Sequence, residues 1–320
     1  MAIVDVHNEL NEFYDDCVRI TKDERRKLDA ARIACLDRLS RGIEALGEDR
    51  KQKFQTFATF IEQGSFAMDT LNQHPRGEVD IDVAVIFRKE DLPTTALEAR
   101  RRVADALVFA GGNFVRAPEA RTNAVTVWYA DGSHVDLAVY REHKGRLEHA
   151  GPDWRRLDPT IVTDWFKAKV DALSPQYFNP TVREHQFRRV VQLIKMFARS
   201  RRRWNLPGGM TLSALLVETY RKDRNRDDVS LYETLEATLE RLQDSLVVLN
   251  PVDGSHELTG KPSRLAQMKE LAMVLEEALE ELAIIAEPDC SRKKALRAWG
   301  TFFNHNYWRR AAVDEPRQRA

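Results

Sequence analysis

Two segments of the chain alternate with a period of two, and both alternate in the same sense. Residues two apart on an extended strand share a face. Across Val79 to Phe87 this puts Asp80, Asp82, Ala84 and Ile86 on one face, and Val79, Ile81, Val83, Val85 and Phe87 on the other. Across His134 to Tyr140 it sets His134, Asp136, Ala138 and Tyr140 against Val135, Leu137 and Val139. Each strand has a wholly apolar back and a front that begins with carboxylates. Such strands need a sheet with its apolar face covered.

The surrounding pattern supplies the cover. Thr95 to Phe109 reads as a helix, and Asn123 to Tyr129 as a strand joined to His134–Tyr140 through Asp131-Gly132, a hairpin signal. A helix from about Lys51 to Ile61 is expected to lead into Gly64-Ser65. Upstream, Leu10, Phe13, Cys17 and Ile20, then Leu28, Ile33, Leu36, Leu39 and Ile43, recur at helical spacing, with Thr21 and Glu24 placed as a capping box. After Gly151-Pro152 the pattern is helical: 159–172, 182–203, 211–222, 230–244, 262–283 and 288–303. The expectation is an α+β protein. Residues 1–150 form a mixed-sheet lobe with N-terminal helices, residues 151–308 a helical lobe, and residues 309–320 a mobile tail. The active site is expected in the cleft between the lobes.

Composition narrows the function classes. The chain has 320 residues, enough for a sizeable core, with 50 basic and 50 acidic side chains and no net charge. That balance argues against a long nucleic-acid partner, so a nucleotide site would be a local pocket. No apolar run has the length of a membrane helix, and the start of the chain lacks a signal-peptide pattern. Cys17, Cys35 and Cys290 form no metal-type pair and read as free thiols in a reducing cytoplasm.

Carboxylates beside an apolar core are costly unless paired or metal-bound, and two on one face repel each other. A divalent cation relieves both problems. Magnesium takes oxygen ligands, commonly one or two carboxylates plus substrate phosphates. Two such ions serve phosphoryl chemistry by activating a hydroxyl and stabilising the leaving pyrophosphate. Upstream, Gln63-Gly64-Ser65-Phe66 offers a turn whose glycine lets backbone approach a phosphate and whose serine can bind it. Alone, Asp-x-Asp can merely end a strand, and Gly-Ser is a common turn. Together with Asp136 they suggest a chain that joins nucleotides.

The combination of Gly64-Ser65, Asp80-x-Asp82 and Asp136 resembles the DNA polymerase beta-type nucleotidyltransferase superfamily. More narrowly, Gln63-Gly64-Ser65-Phe66-Ala67-Met68, Asp80-Ile81-Asp82 and His134-Val135-Asp136-Leu137-Ala138-Val139-Tyr140 resemble the bacterial cGAS/DncV-like nucleotidyltransferases. These are second-messenger synthases of anti-phage (CBASS) operons. The resemblance implies that Asp80 and Asp82 ligate two magnesium ions, with manganese as a substitute, and that Asp136 completes the site of the ion that activates the acceptor hydroxyl. It implies attack on the α-phosphorus of a nucleoside triphosphate, ATP or GTP foremost, and closure to a cyclic di- or trinucleotide that a downstream effector reads. It further implies nucleotide binding by Gln63, Gly64 and Ser65, and donor-phosphate binding by Lys195 and Ser213 in the helical half. A solvated helix lysine and a helix-start cap are the plain alternatives for the last two.

Other features have plainer readings. Arg199-Ser200-Arg201-Arg202-Arg203-Trp204 suits a basic helix end. His134 suits a hydrogen-bonded strand histidine, Arg121-Thr122-Asn123 could reach the site, and Trp299, Phe302, Phe303, Tyr307 and Trp308 suit core packing. A tail ending at Ala320 is compatible with conjugation by ubiquitin-like machinery, which accompanies some members of the family. The competing functions are transfer to another acceptor (an RNA end, a small molecule or a protein) and a non-catalytic nucleotide or RNA sensor.

Overall fold

The computed structural model describes residues 3–73, 79–112, 114–130, 132–176 and 185–314. They fall into two compact units. One runs from Ile20 to Asp164; the other joins the residues up to Arg19 with those from Trp165 onward. The division differs from the break expected near residue 150: residues 154–156 still pair with the sheet, and the first helix belongs with the C-terminal half.

That first helix, α1 (His7–Phe13), runs into a π-helical turn at Tyr14–Val18. The α/β unit then begins with α2 (Lys22–Asp49), whose start is the expected capping box. The Glu24 amide donates to Thr21 Oγ1 and the Thr21 amide to Glu24 Oε2. Next come β1 (Thr59–Gln63), a short turn of helix α3 (Gly64–Ala67) and β2 (Asp80–Arg88). Helix α4 (Ala96–Phe109), capped by Thr95, leads to β3 (Glu119–Ala120), β4 (Val125–Trp128), β5 (His134–His143), β6 (Arg146–Ala150) and β7 (Trp154–Arg156).

The strands form one mixed sheet in the order β1-β2-β5-β4-β3, with β6 and β7 continuing from β5. Only β2 and β5 pair parallel; the other pairings within this sheet are antiparallel. The apolar backs of β2 and β5 pack with Leu36, Leu39 and Ile43 of α2 and Val103 and Leu107 of α4 in one fully buried cluster. Each such side chain stabilises the fold by about 1.5–3 kcal/mol. The two helices touch at Gly42, where a Cβ would stand 2.7 Å from the Ala106 carbonyl carbon. The opposite sheet face carries a much smaller cluster of Ala84, Ile86 and Tyr140.

Two expectations are corrected. The chain after Gly151-Pro152 is not wholly helical, since residues 154–156 join the sheet and residues 249–257 form a hairpin. Residues 51–61 do not form a helix; they run irregularly into strand β1, which pairs with β2 from Thr59↔Ile86 to Gln63↔Asp82. The aromatic and β-branched run Phe57-Ala58-Thr59-Phe60-Ile61 suits an edge strand, and the exposed edge of β2 supplies its partner. The β4–β5 hairpin is present, with Gly132 at φ +87°, while Asp131 lies outside the described residues.

The helical unit continues with α5 (Ile161–Leu173, its first turn at the division), α6 (Gln186–Arg199), α7 (Gly209–Thr219) and α8 (Asp227–Asp244). A small exposed hairpin, β8 (Leu249–Asn250) with β9 (Asp253–Glu257), precedes α9 (Pro262–Leu282), α10 (Arg292–Phe303) and α11 (Asn306–Asp314). Residues 309–314, expected in the tail, thus belong to a helix, held by the buried side chains of Trp308 and Ala312. Ala320 lies outside the described residues.

Polar groups clamp the N-terminal segment into this unit. Asp228 Oδ2 accepts from the Val6 amide at 3.0 Å, and Arg226 donates to the carbonyls of Ile3 and Val4. Tyr14 donates to Gln192 Oε1 at 2.7 Å. Trp299, Phe302, Phe303 and Trp308 are buried in the core, as expected, whereas Tyr307 is only half-buried and donates to Glu12 Oε2 at 3.0 Å. Arg201, from the basic run, donates to the carbonyls of Phe302 and Thr301 and so closes the end of α10. Among the described residues no helix is long and apolar enough to cross a membrane, and the three cysteines are free.

Candidate active site

The parallel pairing of β2 and β5 fixes the carboxylates. Asp80 stands opposite His134, and Asp82 opposite Asp136. Neighbouring strands lie about 4.8 Å apart, and in-register residues point to the same side, so Asp80, Asp82, His134 and Asp136 share one face. Burial follows the alternation: Ile81, Val83, Val135 and Leu137 are inaccessible, while Asp82, His134 and Asp136 are half-buried and Asp80 is exposed.

The β1–β2 pairing adds the turn. Gln63 is opposite Asp82, and the next residue, Gly64, bends the chain with φ +61°. L-residues other than glycine rarely adopt that conformation. A Cβ there would also stand within 2.7 Å of the Asp82 carboxyl carbon. Gly64 is therefore required twice, by its backbone angle and by its contact with Asp82. Ser65 follows in the first turn of α3, and its carbonyl accepts from the Thr70 amide at 2.9 Å, which closes the loop.

Gln63 is engaged in holding that turn. Its side-chain amide donates to the Pro159 carbonyl at 2.8 Å, and Gln63 also lies near the Tyr140 phenol. Burial pushes the Tyr140 phenol up, against the smaller lowering effect of Gln63, so the hydroxyl stays neutral. Sequence alternation places Tyr140 on the carboxylate face; its link to Gln63 was not foreseen.

His134 sits between carboxylates, its Nε2 3.1 Å from Asp80 Oδ1 and 3.9 Å from Asp136 Oδ2. Asp136 Oδ1 is buried and has no hydrogen-bond partner. An orphaned carboxylate oxygen beside a second carboxylate is costly without a cation. Among the described residues no three histidine, cysteine, aspartate or glutamate side chains stand close enough to chelate an ion as placed. The donor set still fits a hard divalent cation: oxygen ligands only, on rigid strands, with one oxygen unsatisfied.

Lys195 and Ser213 belong to the helical unit. Lys195, on α6, is buried at 4% exposure, which excludes a solvated helix lysine. Its Nζ lies 3.6 Å from the position of a Cβ on Gly209, so the ammonium reaches the first turn of α7. Ser213 is also buried and lies inside α7; the N-cap is Gly208, so Ser213 is not a helix-start cap. Asn123, a possible site residue, gives its backbone carbonyl to His149 Nε2 at 2.8 Å.

A family model, "Cyclic GMP-AMP synthase DncV-like, nucleotidyltransferase domain", matches residues 58–140, the span from the start of β1 to Tyr140 of β5. Residues 58–140 are a DncV-like nucleotidyltransferase domain. This DncV-like domain contains every sheet residue of the candidate site. The chain is 22% identical to the cyclic GMP-AMP synthase of Escherichia albertii over 225 residues, which cover 67% of this chain and 48% of that protein. The alignment thus spans about half the length of that relative. Among solved structures, Vibrio cholerae DncV in complex with the linear intermediate 5′ pppA(3′,5′)pG superposes with a TM-score of 0.72 at 18% identity, covering 93% of this chain and 96% of that one. Escherichia coli DncV in its 3′-deoxy GTP bound form gives a TM-score of 0.70 at 18% identity, covering 95% and 98%. The chain therefore has the DncV fold, with the DncV-like domain followed by helices.

Proposed function

We propose that the chain synthesises a cyclic di- or trinucleotide from nucleoside triphosphates with release of pyrophosphate, as a second messenger in anti-phage defence in the cytoplasm. The observation that carries this reading is the register of β1, β2 and β5, which sets Gln63 opposite Asp82 and Asp82 opposite Asp136. One sheet face thereby presents a turn suited to phosphate beside carboxylates suited to magnesium.

Asp80, Asp82 and Asp136 would hold the divalent ions. When bound, magnesium supplies charge neutralisation for the triphosphate and a lowered pKa for the acceptor hydroxyl. The chain's own contribution is positioning. Gly64 and Ser65 bring backbone and hydroxyl to the donor phosphates, and Gln63 fixes the turn through Pro159 and Tyr140. Asp136 orients the acceptor hydroxyl in line with the α-phosphorus. Lys195 and Ser213 add donor-phosphate contacts. A buried lysine suits that role because phosphate offsets the cost of burying its charge. We further assign the product a downstream effector, and the C-terminus a role in ubiquitin-like conjugation.

The test is incubation of the pure protein with four labelled triphosphates and magnesium. A phosphatase-resistant product supports cyclisation. Transfer only after an RNA end, small molecule or protein is added points to another acceptor, and no turnover points to a sensor.

A further inference from the structure

Beyond the carboxylates the same sheet face carries an aromatic–basic cluster. Trp128 ends β4 and stands opposite His134 of β5, as Thr126 stands opposite Asp136. Directly opposed side chains in antiparallel strands have Cβ atoms about 4.5–5.5 Å apart. The Trp128 indole is therefore one strand away from the histidine that touches Asp80. It is half-buried, and two exposed arginines approach it. The guanidinium carbon of Arg116 lies 3.4 Å from the ring centroid and that of Arg121 lies 5.0 Å away. The Arg121 Nε lies 3.6 Å from its acidic neighbour Glu119.

The strand order gives this cluster a side. The Gly64–Ser65 turn leaves β1, on the β2 edge of the carboxylates, whereas Trp128 lies on β4, beyond β5. A triphosphate held at the Gly64 turn occupies the β1 side. The β4 side, next to Asp136, is left for the nucleotide whose hydroxyl attacks.

We infer that Trp128 and Arg116 form the stacking platform for the base of the acceptor nucleotide and favour a purine there. This inference rests on the nucleotidyltransferase reading above. Indole and guanidinium planes both stack on nucleobases, and a purine offers the larger π surface. Stacking of this kind discriminates base size. The bound acceptor phosphate gains from Arg116 and Arg121, which are the cationic groups at the ring.

The experiment titrates the full-length protein with guanosine 5′-monophosphate, which cannot serve as a triphosphate donor, and separately with a nonhydrolysable GTP analogue. Trp128→Ala is expected to weaken monophosphate binding at least tenfold and the triphosphate analogue less than twofold. Trp128→Phe should stay within threefold of the native protein. The native protein should bind guanosine monophosphate at least fivefold better than uridine monophosphate, and Trp128→Ala should lose that preference. Arg116→Gln, at an exposed side chain, should weaken the monophosphate about threefold even if Trp128→Ala fails to fold. Unchanged monophosphate binding in folded Trp128→Ala, or in Arg116→Gln, overturns the platform. So does an equal loss for both ligands. Absence of transfer by the native protein would instead overturn the functional reading, with the monophosphate titration still deciding the platform.

Discussion

Asp82 and Asp136 are in-register partners on the parallel strands β2 and β5, and Gly64 packs against the Asp82 carboxylate from the third side. Two acidic side chains opposite each other on adjacent strands repel. In the proposed reaction a divalent cation would relieve that repulsion, so under that proposal function and stability oppose each other at this position.

Asp136→Asn separates the two. Like charges directly opposite on a sheet are destabilising by up to about 1 kcal/mol, so the variant should be as stable as the native protein, or about 0.5 kcal/mol more so, in metal-free buffer. Under the proposed mechanism its nucleotide transfer should fall at least about a hundredfold, because asparagine keeps one side-chain oxygen but not the negative charge that would hold the cation. Chemical denaturation without metal, set beside a turnover assay, measures both.

Gly64→Ala tests the turn. The left-handed backbone there costs an L-residue about 1–2 kcal/mol, and the new Cβ would press on Asp82. The expected result is a loss of about 1–3 kcal/mol in unfolding free energy together with loss of triphosphate binding. A variant that binds triphosphate normally would exclude the turn from the site.

Tyr140→Phe tests the positioning of Gln63. It removes the hydroxyl that faces Gln63, and should raise the KM for triphosphate severalfold while kcat changes little. Equal loss in kcat would place Tyr140 nearer the chemistry than the fold suggests.

The helical unit carries a pH prediction. Burial alone would raise the Asp227 carboxyl, but hydrogen bonds and charge from Arg189, with help from Gln186, hold it below the ordinary carboxylate range. Arg189 Nε lies 2.6 Å from Asp227 Oδ2, and both side chains are buried. A carboxyl with a depressed folded pKa contributes stability above its unfolded value, about 3.9, and loses it as pH falls through the folded value. Stability should stay level from neutral to mildly acidic pH and drop in strong acid. Asp227→Asn should cost about 3–5 kcal/mol at pH 7 and flatten the acid limb, as followed by denaturant unfolding across pH.

The sheet face was legible because a period of two admits one arrangement. Once Ile81, Val83, Val135 and Leu137 were assigned inward, Asp80, Asp82 and Asp136 had to point outward, and the register sets Asp82 opposite Asp136, with Asp80 opposite His134 on the same face. The helices were legible from apolar spacing and caps such as Thr21. The irregular segment before β1 was not. Its apolar residues fit a helical count, and only pairing with β2, a contact distant in sequence, makes 59–63 a strand. The return of the first helix to the C-terminal half was hidden for the same reason, since Asp228 and Arg226 bind backbone groups of residues 3–6 that carry no sequence signature. Trp128 could have been found: it shares the parity of Thr126 across the hairpin from Asp136. Of its arginine neighbours, Arg121 stands in the segment expected to reach the site, whereas Arg116 lies in a loop without periodicity and leaves no such signal.

The most direct test is the double substitution Asp80→Ala with Asp82→Ala, assayed with labelled triphosphates and magnesium beside a circular-dichroism melt. The predicted result is a folded protein, with a melting temperature at or above that of the native chain, that forms no pyrophosphate and no linked nucleotide. Retained synthesis by the folded double variant would contradict the assignment of these carboxylates, and with it the proposed active site.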